Sequence, residues 1–468
     1  MAALASTGRV ADEWRMESIG GRPSTRLTWI AAALGCGACA LAARMGADAR
    51  WLAAMGASML RAGAIPHAVP YAAAPSAGWH DAPALGQLVF HWLETLAGDR
   101  GLIVAQVAAV GVALAALALD LGNARVRDGS GAAVLLATFL ALPAAFLVVR
   151  AELFSLALFP VLLLLVRSDD RRRSHRIWLV VPLLVLWANL HGGVLVGLFV
   201  LAVYLLLRRL RRAPAESTAV LALSGIAVLA TPQLLGSVDY YTGVLRGPVV
   251  SEGYGLWGPL TIDQPLDLLL VAIAIPLVIL ALRSRPATWE LLVLALLIAG
   301  SVEARRDGLW LLLFTAAPAA RGLSRTGMRT PPLSGRVALV CACVPLLMLT
   351  AGLSTAHTSG GAGAQLVRRA MLAAHGGPIL ADPLDAEKLA LAGGRVWIAN
   401  PIEAFAPSEQ RLYLAWLRGE PSGAAILQRR IHVVLVLRGS EPQRRLAADP
   451  AFRVLAEDDQ TVLYRRTD

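Results

Sequence analysis

Asp48, Arg150, Glu152, Asn189, His191, Glu303, Arg305, Arg306 and Asp307 all stand where apolar runs end. A charge at the centre of a bilayer costs roughly 2.5–3.5 kcal/mol on insertion scales, so ionisable groups beside spans are kept away from lipid. Here acids, arginines and a histidine recur at one level, on alternate connectors. Asp239, Tyr240, Tyr241, Glu252, Tyr254 and Trp257 fill a further connector on the same side. If packing draws these helix ends together, they surround one outward-facing cavity whose groups can exchange protons and hold a charged ligand.

Each group also has a plainer reading. Arg150 and Glu152 could form an interfacial ion pair that stabilises a short turn. Arg305 and Arg306 could snorkel to headgroups, and Trp187, Trp257 and Trp310 read as interfacial anchors. His191 is harder to explain that way. In Trp187-Ala-Asn-Leu-His-Gly-Gly193 two helices meet with almost no loop. Close packing accounts for the glycines but not for a histidine beside Asn189. Asp48 alone reads either as a helix-flanking charge or as a functional carboxylate.

The elements that must position these groups follow from composition. A mean hydropathy of +0.61 with 57% hydrophobic residues exceeds what one soluble core of 468 residues can hide, so the surplus faces lipid. The net charge of +11 sits in short loops between apolar runs. It reads as a topology signal, not as the continuous basic face that nucleic-acid binding needs. Spans are expected at about residues 27–44, 102–121, 131–149, 153–166, 177–190, 193–207, 218–235, 266–282, 287–300, 308–322 and 337–354. Arg171 to Arg173, Arg208, Arg209, Arg211, Arg212, Arg283 and Arg285 crowd the connectors opposite the candidate site. With the N-terminus (1–26) inside a cytoplasmic membrane, an odd number of spans brings the C-terminal part outside. Cys36, Cys39, Cys341 and Cys343 lie within apolar runs, and Cys36-Gly-Ala-Cys39 reads as small-residue helix packing.

The first outer loop, 44–100, holds two amphipathic stretches. Leu52, Met55 and Met59 suggest a helix lying along the membrane surface just after Asp48 and ending before Gly63 and Pro66. Leu85, Leu88, Val89, Trp92, Leu93 and Leu96 form one stripe of a second helix at the membrane surface. Between them, Pro66-His67 to His80-Asp81-Ala-Pro83 is rich in turn formers. After a Ser/Gly/Ala linker, 355–363, residues 364–468 regain a soluble balance. Strands are expected at 378–381, 395–399, 431–437, 452–456 and 461–464, with helices near 385–391, 408–417 and 441–447, a small extracytoplasmic α/β domain.

The order of these features resembles the glycosyltransferase C (GT-C) superfamily, and more closely a group of uncharacterised bacterial relatives. The resemblance rests on Asp48-Ala-Arg-Trp51, Met55-Gly56, Gly63-Ala-Ile-Pro66, Arg150-Ala-Glu-Leu-Phe-Ser155, Trp187 to Gly193, Arg305-Arg306, Asn400-Pro-Ile402 and Tyr413-Leu-Ala-Trp416. It implies an α-helical polytopic membrane protein of about eleven spans that takes a sugar from a polyprenyl phosphate with inversion. The acceptor would be a glycan, lipid or protein. On that pattern Asp48 matches the base, and Arg150, His191, Arg305 and Arg306 are the donors to phosphate. His80, Asp81, Asn189, Glu252 and Tyr254 are left to contact the acceptor or serve as accessory groups. Relatives often carry paired acids where Ala49 follows Asp48, which leaves a divalent metal ion open, and Thr231-Pro232 stands where they often have Asn-Pro. Two other classes compete: a non-catalytic membrane protein that binds or moves a lipid-linked glycan, and a scaffold whose C-terminal domain is the working part. A transporter would carry polar residues deep in its spans, and these spans are mostly Leu, Val and Ala.

Overall fold

A computed structural model describes residues 25–327, 335–355 and 362–467. The N-terminal segment before Thr25 and most of the expected 355–363 linker lie outside the described residues. Eleven helical segments follow the eleven expected spans: Arg26–Ala42, Asp99–Asn123, Asp128–Ala141 with Pro143–Leu147, Leu153–Arg171, Val180–Leu190, Val194–Tyr204, Pro214–Val228, Pro265–Arg283, Thr288–Glu303, Gly308–Arg325 and Gly335–Thr355. By length and composition, Asp99–Asn123 and Pro265–Arg283 suffice to cross a membrane, and several others are shorter apolar helices. Leu140, Ile226, Ile275, Leu282 and Leu347 lie exposed on the helices, as expected of faces turned to lipid.

Two spans end short of expectation, each for a local reason. The third span breaks at Leu142 because Pro143 cannot continue the ladder of hydrogen bonds. Its last residues become extended, and Val148–Val149 pairs in parallel with Arg44–Met45 just beyond the first span. The seventh span stops at Val228, before Thr231-Pro232.

Packing at the core is close. A Cβ on Gly352 would run into the Ala40 carbonyl carbon, so only glycine lets the Gly335–Thr355 helix lie against the first. Cys39 is buried in the same helix and gives its S–H to the Phe146 carbonyl, 3.2 Å away. Its surroundings are those of a packing residue.

The arginine-rich end holds more than topology signals. Arg167 and Arg209 are buried. Arg167 reaches Asp120 at 3.0 Å and the Phe314 carbonyl at 2.6 Å, while Arg321 grips both oxygens of Glu290 at 2.8 Å. Arg209 bridges Asp169 at 2.8 Å and Glu216 at 2.9 Å, and Tyr204 donates to Asp169. Removing one member strands the others in a dry interior, which costs about 3–5 kcal/mol. Arg209→Ala is therefore expected to lower the melting temperature of the detergent-purified protein markedly. An unchanged melt would show that the pairs are incidental.

At the other end, Ala49–Ala62 and Ala84–Ala97 are the two helices expected in the first loop. The first does not lie open on a membrane surface. Trp51, Leu52, Met55 and Met59 are buried, packed between the Ala84–Ala97 helix and Pro383–Leu391 of the C-terminal unit. That unit carries a four-stranded mixed sheet, in the order 379–381, 433–437, 461–466 and 452–457. The stretch expected as a strand at 395–399 makes only single bridges from Val396, to Ile379 and to Ala72 of the first loop. Sheet and loop are thereby sewn together. Helices at 383–391, 407–417 and 441–448 match expectation, and the Ala362–Ala374 helix was not foreseen.

Candidate active site

Asp48 and Arg150 are brought together by the short parallel pairing of 44–45 with 148–149. Both chains leave it side by side, with the Gly46 N–H on the Val149 carbonyl at 3.2 Å. Arg150 then reaches Asp48 Oδ2 from Nη2 at 3.2 Å and from Nε at 3.4 Å. Arg150 thus does not close a local pair with Glu152. Glu152 faces Arg306 instead, at 3.7 Å.

The Asp48 backbone is in the left-handed region, φ 87°, a conformation costly for a residue with a side chain and held here by its surroundings. Its N–H donates to Glu387 Oε1 at 2.7 Å. Asn400 Nδ2 donates to both Asp48 Oδ1, at 3.0 Å, and Glu387 Oε1, at 2.9 Å. The Trp51 indole N–H adds a longer contact to Oδ1, 3.4 Å. Two residues of the C-terminal unit therefore clamp Asp48 of the first loop, Asn400 by its carboxylate and Glu387 by its backbone N–H, leaving the carboxylate partly open on the Arg150 side.

Glu387 is 1% exposed, and its Oε2 has no hydrogen-bond partner. Burial first, and then the Asp48 charge, push its carboxyl up to about 8. Between 4.5, its ordinary value, and about 8 the unfolded chain is ionised while the folded chain keeps its proton. The stability from this group is thus complete below 4.5 and lost as pH rises through 8. Glu387→Gln cannot ionise and keeps an acceptor at Oε1. Its melting temperature should match the parent near pH 5 and exceed it increasingly towards about pH 9. Parallel melting curves across that range would count against a protonated Glu387.

His191 lies where the Val180–Leu190 and Val194–Tyr204 helices meet. Its Nδ1 accepts the Gly193 N–H at 3.1 Å and faces the Ser155 hydroxyl at 2.6 Å. Ser155 Oγ in turn accepts the Trp187 indole N–H at 2.7 Å, so its own proton is directed to His191. A neutral ring then carries its proton on Nε2. Burial first, and then the Arg306 charge, push His191 down to about 3. A Cβ on Gly193 would stand 2.6 Å from Ser155 Oγ, so this relay requires glycine there. Trp187 and Trp310 are buried at 0% and 2% exposure, so they are core residues and not interfacial anchors. Trp257 meets a cation, the Arg306 guanidinium 4.0 Å above its ring, and the Trp310 side chain hydrogen-bonds the Asp307 carboxyl.

Asp48, Arg150 and Arg306 all act electrostatically on His191. The other expected site residues lie elsewhere. Arg305 turns away, to Asp267 at 3.3 Å and the Pro259 carbonyl at 3.1 Å, where it pins a connector. Asn189 donates to the Val185 and Ala230 carbonyls, both at 2.8 Å, and ties two helices. Glu252 pairs with Arg418 at 2.9 Å, and the same guanidinium lies 5.7 Å from the Tyr254 ring, so these two dock a connector on the 407–417 helix. Asp81 is fully buried, accepts from Gln87 at 2.7 Å and is pushed by burial up to about 7. His80 reaches Gln233 at 3.3 Å and Asp239 at 3.8 Å, beside a separate cavity.

Sequence reasoning missed Glu387 and Glu403. Glu387 is 339 residues from Asp48 and sits in an ordinary helix start, Pro383-Leu-Asp-Ala-Glu387. Only Asn400-Pro-Ile402, one residue short of Glu403, marked the region. As for a metal, among the described residues no three His, Cys, Asp or Glu side chains converge as ligands, and the Asp48 oxygen not held by Asn400 faces a guanidinium. The groups present do not fit a divalent ion there.

Comparison with solved structures identifies the architecture. ArnT from Cupriavidus metallidurans, bound to undecaprenyl phosphate, superposes with a TM-score of 0.51 at 13% identity, over 94% of this chain and 97% of that one. The chain has the GT-C fold. The mycobacterial arabinofuranosyltransferase AftD is also similar, with a TM-score of 0.50 at 15% identity over 95% of this chain, which spans 42% of AftD. No family model and no curated protein matches the sequence. Within the GT-C fold, the Asp48 clamp occupies the end of the bundle covered by the C-terminal unit.

Proposed function

We propose that this membrane protein is an inverting glycosyltransferase that takes sugar from a polyprenyl phosphate at the outer face of the cytoplasmic membrane, with the N-terminus inside and the C-terminal unit outside. The orientation is supported by the arginine-rich connectors at the opposite end. The observation that carries the activity is Asp48 beside Arg150, its carboxylate held by Asn400 and its N–H by Glu387, with the neutral His191 in the fields of Asp48, Arg150 and Arg306.

In the proposed step the acceptor hydroxyl gives its proton to Asp48, and its oxygen bonds to the anomeric carbon from the face opposite the phosphate. The bond from that carbon to the phosphate oxygen breaks, and the electron pair leaves with the lipid phosphate, which becomes a dianion. Arg306 and Arg150 meet that growing charge, and His191 Nε2–H is a further donor. Arg306 is held without being consumed, since Glu152 and Trp257 fix it but leave it part-exposed. Arg305 has no place in the step.

The test is transfer from radiolabelled polyprenyl-phosphate sugars by the protein in vesicles of bacterial lipid. Label should pass from the lipid into an acceptor fraction, or slowly to water. Label that stays on every lipid offered would leave a binding protein without chemistry.

A further inference from the structure

A chamber of about 410 Å³ opens between the first loop, the Gly236–Arg246 helix and residues 403–406 of the C-terminal unit. That volume lies in the range of small-ligand sites. Its chemistry differs from that of the Asp48 side. The titratable groups that line it are His80, Asp239, Tyr240 and Glu403, and no lysine or arginine is among its lining residues. Glu403 makes no ion pair among the described residues. Burial pushes the Glu403 carboxyl up to about 7, so above that pH a phosphate or carboxylate entering here meets two carboxylates, Asp239 and Glu403, with no lysine or arginine in the lining, a costly juxtaposition. Trp79, Tyr240 and Phe405 provide aromatic faces. Trp79 is 8% exposed, and its indole N–H has no hydrogen-bond partner, a donor left unpaired in a wall that otherwise offers acceptors.

The chamber adjoins the candidate active site through two side chains. The Tyr240 hydroxyl stands 3.1 Å from where a Cβ of Gly192 would be, next to His191. Glu403 is within the fields of Asp48 and Arg306. We infer that this chamber is the acceptor subsite, and that it takes a hydroxylated unit that is neutral or carries an amine: a carbohydrate without phosphate. Aromatic faces receive its C–H surface, Glu403 and Asp239 accept its hydroxyl or ammonium protons, and the charge sorts acceptor from donor. The lipid phosphate is drawn to Arg150 and Arg306, and the phosphate-free sugar to the acidic chamber. The inference deepens the transferase reading and rests on it for the word acceptor.

The experiment is saturation-transfer NMR on the full chain in lipid nanodiscs with three probes: methyl glucoside, glucosamine and glucose 6-phosphate. Undecaprenyl phosphate binding is measured separately by native mass spectrometry. The neutral and amine probes should saturate, the phosphorylated one far less. Trp79→Ala should cut the first two signals about fivefold or more while lipid binding holds. At about pH 8.5, above the raised value of Glu403, Glu403→Gln, the conservative change, should raise the signal of glucose 6-phosphate relative to methyl glucoside, a selectivity shift that mere loosening of the fold would not give. Equal saturation by all three probes, no signal from any of them, or signals indifferent to both substitutions would overturn the subsite. If sugars bind as stated but the lipid does not, the donor reading fails and the sugar chamber stands. If the lipid binds and the sugars do not, the reverse holds.

Discussion

Asp48→Asn is expected to lower the rate of sugar transfer by about 10²- to 10⁴-fold, the usual loss when a positioned general base is removed. The substitution is nearly isosteric. Asn400 can still donate to the Oδ1 position, and the Asp48 N–H still reaches Glu387, so the clamp and the fold persist. What disappears is the proton acceptor and the negative charge opposite Arg150. Freed of that charge, Arg150 should hold a phosphate at least as well as before. The signature is therefore a collapsed rate with lipid-phosphate affinity kept or improved, read from single-turnover transfer and from binding on the same preparation. A variant that transfers at the parental rate would remove Asp48 from the chemistry.

Arg150→Met should show the opposite split. Methionine keeps much of the stem's volume but leaves Asp48 without its cation, 3.2 Å away, and leaves a phosphate with Arg306 as its one arginine beside the His191 N–H. Charge-assisted hydrogen bonds of this kind are worth more than neutral ones, so affinity for undecaprenyl phosphate should fall about tenfold or more. The rate should fall further, by about 10²-fold or more, because the arginine also meets the charge that grows on the leaving phosphate. Because Asp48 would then sit unpaired, the melting temperature belongs beside the kinetics. A rate loss fully explained by unfolding at the assay temperature would assign Arg150 to stability only.

Much of the scaffold was legible because its signals are local. Eleven apolar runs mark eleven helical segments, and Leu52, Met55 and Met59 at helical spacing mark the helix after Asp48. The breaks at Pro143 and Pro232 are also written locally, although the span boundaries were drawn across them. The candidate site was legible only in part, since its decisive contacts join distant positions. That Arg150 would turn to Asp48 and not to Glu152 depends on a two-residue strand pairing that no periodicity reveals. That Glu387 would lie under Asp48 depends on how the C-terminal unit docks. Arg305 and Arg306 look equivalent in sequence. The short 3₁₀ turn at Arg305–Asp307 sends one to Asp267 and the other over Trp257. Likewise Trp187 and Trp310 looked like anchors because tryptophan is common at interfaces, whereas here the two pack on Phe159 inside the bundle.

The account turns on where a lipid phosphate comes to rest, and the direct measurement is a structure of the full chain in nanodiscs with undecaprenyl phosphate. It predicts the phosphate between the Arg150 and Arg306 guanidinium groups, with at least one nitrogen of each about 2.7–2.9 Å from an oxygen, and Asp48 facing the acidic chamber. A phosphate seated at the arginine-rich end of the bundle, or in the chamber beside Glu403 with both arginines unmoved, would contradict it.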